Sequence, residues 1–262
     1  MSLDIDRHAH VESSIQRWDP RFKIASLLLL VLCLALVKSI PLILVGLILS
    51  ISLLLISRIP LDFIFQGLKI IVVFLLPFFI ILPLTYPGEA ESYFLGIPFA
   101  MEGLRLAALI VVKAIAIVLT AYVIFGSRRF DISMIALQDL KCPSLVVQMM
   151  LFTYRFIFLF LEEMRRMDTA MKARGFVKKA DVYTLKIMGG FIGTLLIRSF
   201  ERTERIYKAM LSKGYQGEFH TLIEFKAEAK DYLKAGLIIV IAVAIFSIDA
   251  MDIFPHAEQA WI

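Results

Sequence analysis

The apolar run IASLLLLVLCLALV, from Ile24 to Val37, carries no charged residue and decides the class of fold. Similar runs recur along the chain, which is 60% hydrophobic, whereas an ordinary soluble domain is about 45–50% apolar. A helix satisfies its own backbone hydrogen bonds, so such runs cross a bilayer as helices. The preceding segment is charged and lacks a small-residue cleavage site, which favours an anchor over a cleaved signal peptide. The pattern predicts an all-α membrane protein.

The distribution of basic residues predicts which parts face the cytoplasm. The N-terminus is placed there by Arg7, Arg17, Arg21 and Lys23. Residues 126–234 hold 19 of the chain's 28 basic residues and are placed on the same side. The loop of residues 86–102 and the C-terminal tail contain no Lys or Arg, so both are expected to face outward. Five spans satisfy this rule, at about residues 22–38, 41–57, 69–85, 104–125 and 235–254.

This topology divides the chain into three parts. Residues 1–125 hold a cytoplasmic N-terminal segment and four spans, residues 126–234 a cytoplasmic region of amphipathic helices, and residues 235–262 the last span and an outward tail. The net charge of +5 is concentrated in the middle part. It therefore favours anionic lipid headgroups and gives no indication of nucleic-acid binding.

One apolar segment leaves the number of spans open. Leu145–Leu161 is mostly apolar but is interrupted by Gln148 and Arg155. Crossing the membrane here would carry the basic residues that follow to the outside, against the charge rule. We therefore expect this segment, and Lys186–Ser199 likewise, to form helices buried at the cytoplasmic face. Six spans is the main alternative to five.

The cytoplasmic region contains a repeat. The heptapeptide AMKARGF at residues 170–176 reappears 39 residues later as AMLSKGY at residues 209–215. Each copy indicates an amphipathic helix that ends in a basic residue, a glycine and an aromatic residue. Glycine suits the left-handed position just past a helix end, and the helix dipole favours a cation there.

Two interpretations of the repeat are open. Each copy taken alone fits a packing helix with a glycine cap, which is a common feature. The duplication with matched flanks, Glu162 with Glu201 and Arg166 with Arg205, instead favours two basic tips that dock on a partner with two-fold symmetry.

Three further stretches give the chain a resemblance to a known family. They are QRWDPRFK at residues 16–23, LFTYRF at residues 151–156 and RSFERTERIY at residues 198–207. With Ala173-Arg174-Gly175, they resemble the transmembrane (T) component of energy-coupling factor transporters, most closely the cobalt/nickel subgroup called CbiQ. The chain departs from the family at Ser212-Lys213-Gly214, where the family has a second Ala-Arg-Gly. Lysine keeps the charge but loses the planar bidentate fork of arginine.

The resemblance implies a function and a set of partners. In this family the two tips are coupling helices that enter grooves of two ATPase subunits, and the T component also holds a small substrate-binding membrane subunit. The chain would be a multi-pass protein of the cell (inner) membrane, in contact with its lipids, that couples ATP hydrolysis to cobalt or nickel uptake. The residues expected to bind the ATPases are Met171, Ala173, Arg174, Gly175, Met210, Ser212, Lys213 and Gly214.

Other functions find less support. No G-x-x-x-x-G-K-[ST] phosphate loop occurs, so ATP is expected to be hydrolysed by partners. His8 and His10 are too few ligands for a metal site, and no cofactor is expected. The alternatives are a T component for vitamins and a membrane-embedded lipid-headgroup enzyme. The latter would need clustered carboxylates or histidines at the membrane face, whereas Asp131, Asp139 and Asp181 are scattered.

Two polar features near the spans receive structural interpretations. Lys113 lies near the middle of the fourth expected span without a nearby acidic residue in the sequence, so we expect it to contact a partner subunit or backbone carbonyls. Asp19-Pro20 is expected to cap the first span, with Pro20 at the first helical position.

The topology predicts the labelling of two introduced cysteines. With five spans, Lys178→Cys and Gln216→Cys react with a membrane-impermeant thiol reagent only when the cytoplasmic face is open to it. The parent chain, whose own cysteines are Cys33 and Cys142, is the control for background. Labelling of either introduced cysteine in intact cells would contradict the five-span topology.

Overall fold

The computed structural model describes residues 15, 16, 18–85, 92–94, 97–99, 101–217, 225 and 227–251. Several positions raised by the sequence lie outside this part of the chain. They include all four histidines (His8, His10, His220 and His256), Arg7 and Arg17 of the N-terminal segment, and the acidic loop residues Glu89 and Glu91.

The described residues are almost entirely helical. The helices are α1 (Pro20–Leu36), α2 (Ile40–Ser57), α3 (Leu61–Leu75), α4 (Phe78–Thr85), α5 (Met101–Gly126), α6 (Phe130–Asp139), α7 (Ser144–Ala173), α8 (Val182–Ser212) and α9 (Ala229–Ala250). The all-α membrane class is thereby confirmed. The one addition is a short antiparallel hairpin of β1 (Ser92–Phe94) and β2 (Ile97–Phe99), in which Tyr93 is opposite Pro98.

Five helical segments in the described chain are long and apolar enough to cross a bilayer. They are Ile40–Ser57, Asp62–Thr85, Met101–Gly126, Ser144–Ala173 and Ala229–Ala250. Their number matches the expectation, but the set differs. It includes α7 and omits α1, whose 17 residues extend about 25 Å, less than the roughly 30 Å hydrocarbon core. The placement of α1 across the membrane and of α7 outside it stays a prediction.

The third expected span is broken at a proline. Helix α3 ends at Leu75 and α4 begins at Phe78, so Leu76 and Pro77 form the break. Proline lacks an N–H and clashes with the preceding turn, which accounts for the break at Pro77. A second proline, Pro83, lies inside α4, and the helix continues through it.

The chain divides into two compact units. Residues 134–224 form one, called here the helix-pair unit, and the described residues before 134 and after 224 form the other, the membrane unit. In the membrane unit α5 contacts α1, α2, α3 and α4, while α9 packs on α1. Glycine permits one of these approaches, because a Cβ at Gly103 would lie 2.7 Å from the carbonyl oxygen of Leu82 in α4. Small residues allow membrane helices to pack this closely.

A buried carboxylate joins three helices at one end of the membrane unit. Asp249, near the end of α9, accepts hydrogen bonds from the backbone N–H groups of Lys38 and Ser39, both at 3.0 Å, and from the Ser39 hydroxyl at 2.6 Å. Ser39 is the N-cap of α2, so Asp249 satisfies donors that the helix itself leaves unpaired.

A polar cluster joins the starts of α1 and α9 to the end of α5. The Trp18 indole N–H donates to the carbonyl of Asp231 at 3.2 Å, and the buried Lys23 ammonium donates to the Ser127 hydroxyl at 2.8 Å. Partial burial lowers the pKa of the neighbouring Arg128, while the charges of Asp19 and Asp231 oppose that shift.

The expected cap of α1 is confirmed within this cluster. Asp19 is the N-cap and accepts from the Arg21 N–H at 2.9 Å, with Pro20 as the first helical residue. Asp19 also forms an ion pair of 2.9 Å with the Arg21 guanidinium.

Removing the Asp249 carboxylate should destabilise the membrane unit. Asp249→Ala leaves two N–H groups and a hydroxyl without their acceptor, and we expect the free energy of unfolding to fall by about 3 kcal/mol. Thermal unfolding of the purified chain in detergent measures this. Asp62→Ala, at an exposed carboxylate in the first turn of α3, is the matched control and should cost less than about 1 kcal/mol. Equal losses in the two variants would contradict the assigned role.

Candidate functional site

The two repeated segments are the ends of an antiparallel helix pair. Glu163 of α7 forms an ion pair of 2.5 Å with Arg198 of α8. Gln148, near the start of α7, accepts a hydrogen bond of 2.9 Å from the Tyr215 hydroxyl, just past the end of α8. Residues advance along α7 as their partners recede along α8, so the two helices run in opposite directions.

The expected burial of this pair at the cytoplasmic face of the bundle stays a prediction, but few of its residues are buried within the described chain. The only buried residues are Val147 and Gln148 in α7 and Thr184 in α8. The reason is that each long helix packs mainly on the other, which leaves most of its circumference uncovered. Met164, for example, is 37% exposed.

The first tip closes α7 with a Schellman motif. The N–H of Phe176 donates to the carbonyl of Met171 at 3.1 Å, and the N–H of Gly175 donates to that of Lys172 at 3.0 Å. This arrangement requires a left-handed residue after the helix, and Gly175 has φ of +81°. Arg174 is the C-cap, and its side chain is exposed.

The second tip repeats this geometry. The N–H of Tyr215 donates to the carbonyl of Met210, and the N–H of Gly214 to that of Leu211, both at 3.0 Å. Gly214 has φ of +84°, and the exposed Lys213 is the C-cap. The left-handed glycine ends predicted from the sequence are therefore confirmed at both copies.

The repeat is explained by what each position does in the motif. Methionine supplies the carbonyl three residues before the C-cap, and the aromatic residue donates the N–H that closes the turn. An apolar pair at these two positions commonly accompanies a Schellman end. Ala173 and Ser212 are the last helical residues and are exposed, whereas Met171 and Met210 are half-buried.

Different side chains brace the two tips. Asp168 forms ion pairs with Lys172 at 2.6 Å and with Lys178 at 3.0 Å, so it joins the last turns of α7 to the segment after Gly175. At the second tip the Tyr215 hydroxyl is bound by Gln148. These contacts were not predicted from the sequence, although the spacing of four residues between Asp168 and Lys172 favours an ion pair on a helix.

The start of α8 carries its own cap beside the first tip. Asp181 accepts from the Thr184 N–H at 2.7 Å. Hydrogen bonds from Thr184 lower the pKa of the Asp181 carboxyl. The end of α7 and the start of α8 line one cavity of about 490 Å³ that includes Arg174 and Thr184.

Charged residues four positions apart form ion pairs at some, but not all, sites on the two helices. Glu204 pairs with Lys208 at 2.8 Å and Glu162 pairs with Arg166. Arg205, however, donates from Nε to the backbone carbonyl of Glu201 at 3.4 Å instead of to its carboxylate. The guanidinium lines a cavity between α7 and α8, which accounts for the difference.

An open apolar cavity of about 630 Å³ lies between the two helices. Aromatic and aliphatic side chains from both helices line it, together with the hydrogen-bonded Gln148 and Tyr215. The residues from α7 include Phe152, Phe156 and Phe160, and those from α8 include Ile206 and Met210.

The two tips are far apart within the helix-pair unit. Helix α8 has 31 residues and is about 45 Å long. Arg174 shares a cavity with the start of α8, whereas Lys213 lies at its other end. The unit therefore presents two similar basic ends at a separation on the order of α8's length.

Lys113 has the carbonyl contact that the sequence suggested as one possibility. Its ammonium donates to the backbone carbonyl of Ala35 in α1 at 3.0 Å. No cluster of three or more His, Cys, Asp or Glu side chains with metal-site geometry occurs in the described part of the chain.

The family model CbiQ, described as cobalt transport protein, matches residues 11–222. The chain belongs to this family. The match includes both tips and all of α1 to α8.

Several relatives share most of their length with this CbiQ-family chain. An uncharacterised protein of Methanocaldococcus jannaschii is 28% identical over 94% of this chain and 87% of its own length. The energy-coupling factor transporter transmembrane protein EcfT of Bacillus selenitireducens is 29% identical over 82% of this chain and 85% of its own. The cobalt transport protein CbiQ of Rhodobacter capsulatus is 28% identical over 58% and 61%, respectively.

The family and the apolar helices together define the general role. The chain is a multi-pass membrane protein and an energy-coupling transmembrane subunit of an energy-coupling factor transporter. Its role is in transport and is not enzymatic. The resemblance identified from the sequence motifs is confirmed.

Replacing either tip glycine should open the Schellman turn. No atom lies within 4 Å of a Cβ added at Gly175 or Gly214, so Gly175→Val and Gly214→Val act through the backbone conformation alone. The left-handed region costs a residue with a side chain about 1–2 kcal/mol. We expect the amides of Phe176 and Tyr215, respectively, to exchange hydrogen roughly tenfold faster.

Gly190→Ala is the control, because Gly190 lies inside α8 with the same open space around it. Alanine there should leave both amides unchanged and favour the helix slightly. Unchanged exchange at Phe176 in Gly175→Val would rule out a dependence of this turn on glycine.

Proposed function

We propose that this chain is the energy-coupling subunit of an ATP-driven importer of cobalt or nickel ions. The tips centred on Arg174 and Lys213 dock on two ATPase subunits, and a separate small membrane subunit binds the metal. The observation that carries the proposal is the pair of matching Schellman ends, each presenting an exposed basic C-cap. Two equal ends suit a partner made of two similar subunits.

The charge of each tip supports docking on an acidic surface. Asp168 is paired with both Lys172 and Lys178 beside the first tip, whereas neither Arg174 nor Lys213 is in an ion pair with a described residue. Each is left free to bind a carboxylate on a partner. Arginine makes two parallel hydrogen bonds to a carboxylate and lysine acts as a point charge, so the first tip should give the more directional contact.

The choice of cobalt or nickel rests on the family description and on the name of the Rhodobacter capsulatus relative. The proposed orientation has the N-terminus and the helix-pair unit in the cytoplasm, because the basic residues concentrate there. The ATPases reach both tips only from that side.

Reversing the charge of the first tip tests the docking. Arg174→Glu places like charge against an acidic groove, and we expect co-purification of the ATPase subunits to fall by at least tenfold. Uptake of radioactive cobalt falls with it, while the amount of chain in the membrane stays the same. Lys213→Ala should weaken both less than Arg174→Glu does.

Lys69→Glu is the matched control, since Lys69 is an exposed basic residue of α3 in the membrane unit and lies outside the helix-pair unit that carries both tips. It should leave assembly and uptake near the parent level. Normal assembly of Arg174→Glu would overturn the docking proposal. Assembly that depends on Arg174 together with uptake of a vitamin instead of cobalt would overturn the substrate alone.

A further inference from the structure

Two polar residues interrupt the apolar first half of α7, and they have different environments. Gln148 is buried and accepts a hydrogen bond from Tyr215. Arg155, two turns further on, is exposed and is in no ion pair with any residue of the described chain. A charged side chain in an apolar helix of membrane-spanning length is costly and is usually paired. Arg155 is therefore available to an anionic partner that the described chain does not supply.

Arg155 is one of four cations around a single cavity. The cavity has a volume of about 720 Å³, lies between α7 and α8, and has no carboxylate in its lining. The other three cations come from α8: Arg202, Arg205 and Lys213. Like charges this close together repel one another, so a bound anion would stabilise the cavity.

An adjoining cavity, by contrast, has carboxylates among its lining residues. It has a volume of about 300 Å³ and is also lined by Arg202 and Arg205, but it includes Glu163 and Glu201. There Glu163 is already bound by Arg198 at 2.5 Å. Arg205 reaches only a backbone carbonyl, and Arg202 forms no ion pair within the described residues.

The floor of the four-cation cavity indicates the kind of anion. It is formed by apolar side chains of both helices, among them Phe152, Phe156 and Ile206. A free inorganic anion gains nothing from such a surface, whereas an amphiphile with an anionic head covers the floor with its chain. Helix α7 is apolar enough to contact a bilayer from the cytoplasmic side on which the helix-pair unit is placed, and the abundant anionic amphiphile at that surface is phospholipid.

We propose that this cavity is a binding site for an anionic phospholipid. The headgroup phosphate lies among Arg155, Arg202 and Arg205, and an acyl chain packs over Phe152 and Phe156. Basic pockets between helices at the cytoplasmic face of a membrane bind lipid headgroups in this way. The site goes beyond the proposed transport function and requires neither the ATPases nor the metal.

The purified full-length chain in nanodiscs of equimolar phosphatidylglycerol and phosphatidylcholine provides the test. Native mass spectrometry after gentle release counts the lipids that remain bound. We expect the parent chain to retain phosphatidylglycerol over phosphatidylcholine, and Arg155→Gln/Arg205→Gln to lower that preference roughly tenfold. The control Lys186→Gln/Lys208→Gln removes the same charge from α8 outside the cavity and should retain it.

Each result bears on the proposal. Equal retention of the two lipids by the parent chain, or an equal loss in the control, would overturn it. A third outcome would also overturn it: the parent chain shows no lipid preference, and the Arg155→Gln/Arg205→Gln variant no longer binds the ATPases. The cavity would then be a binding site for a protein. If the double variant does not fold, a thermal shift of the parent chain by short-chain phosphatidylglycerol, but not by phosphatidylcholine or inorganic phosphate, still supports the site, and no shift refutes it.

Discussion

The absence of water from the bilayer core is the constraint on which the rest of the structure depends. A polar group there must find its partner within the chain, and several of the polar groups in the membrane unit do so across helices. Lys113 binds a carbonyl of α1, Asp249 caps α2 from α9, and Ser50 is hydrogen-bonded to Thr120 at 3.0 Å. These contacts fix the register of α1, α2, α5 and α9, because van der Waals packing of apolar side chains alone would tolerate sliding.

The elements predictable from sequence were those with a local cause. Pro20 after Asp19, and glycine after a basic residue, determine helix ends through hydrogen bonds a few residues long, so both were identifiable. The hairpin before α5 has strands of only three residues, which are too short to show a periodicity in the sequence. The hydrogen bonds of Asp249 join residues that are far apart in the chain. A spacing of four residues favours both Glu204–Lys208 and Glu201–Arg205, but only the first forms an ion pair, whereas the Arg205 guanidinium lines the cavity between the two helices.

The two tips share a backbone design but not their support. At the first, the Asp168 ion pairs join residues on either side of the turn and stay within one short stretch of sequence. At the second, the Tyr215–Gln148 hydrogen bond reaches across 67 residues to the start of α7. The first tip is thus stabilised by residues close to it in sequence. The second is hydrogen-bonded to the opposite helix, so its position depends on how α7 packs against α8.

Each Schellman turn closes through hydrogen bonds that span six consecutive residues, from Met171 to Phe176 and from Met210 to Tyr215. The shape of a tip is therefore independent of how long its helix is. Length instead sets distance: seven residues added to the middle of α8 would carry the second tip about 10 Å outward on nearly the same face. The shape of each tip and the distance between the tips are encoded in separate parts of the sequence, so evolution can change that distance without changing either turn.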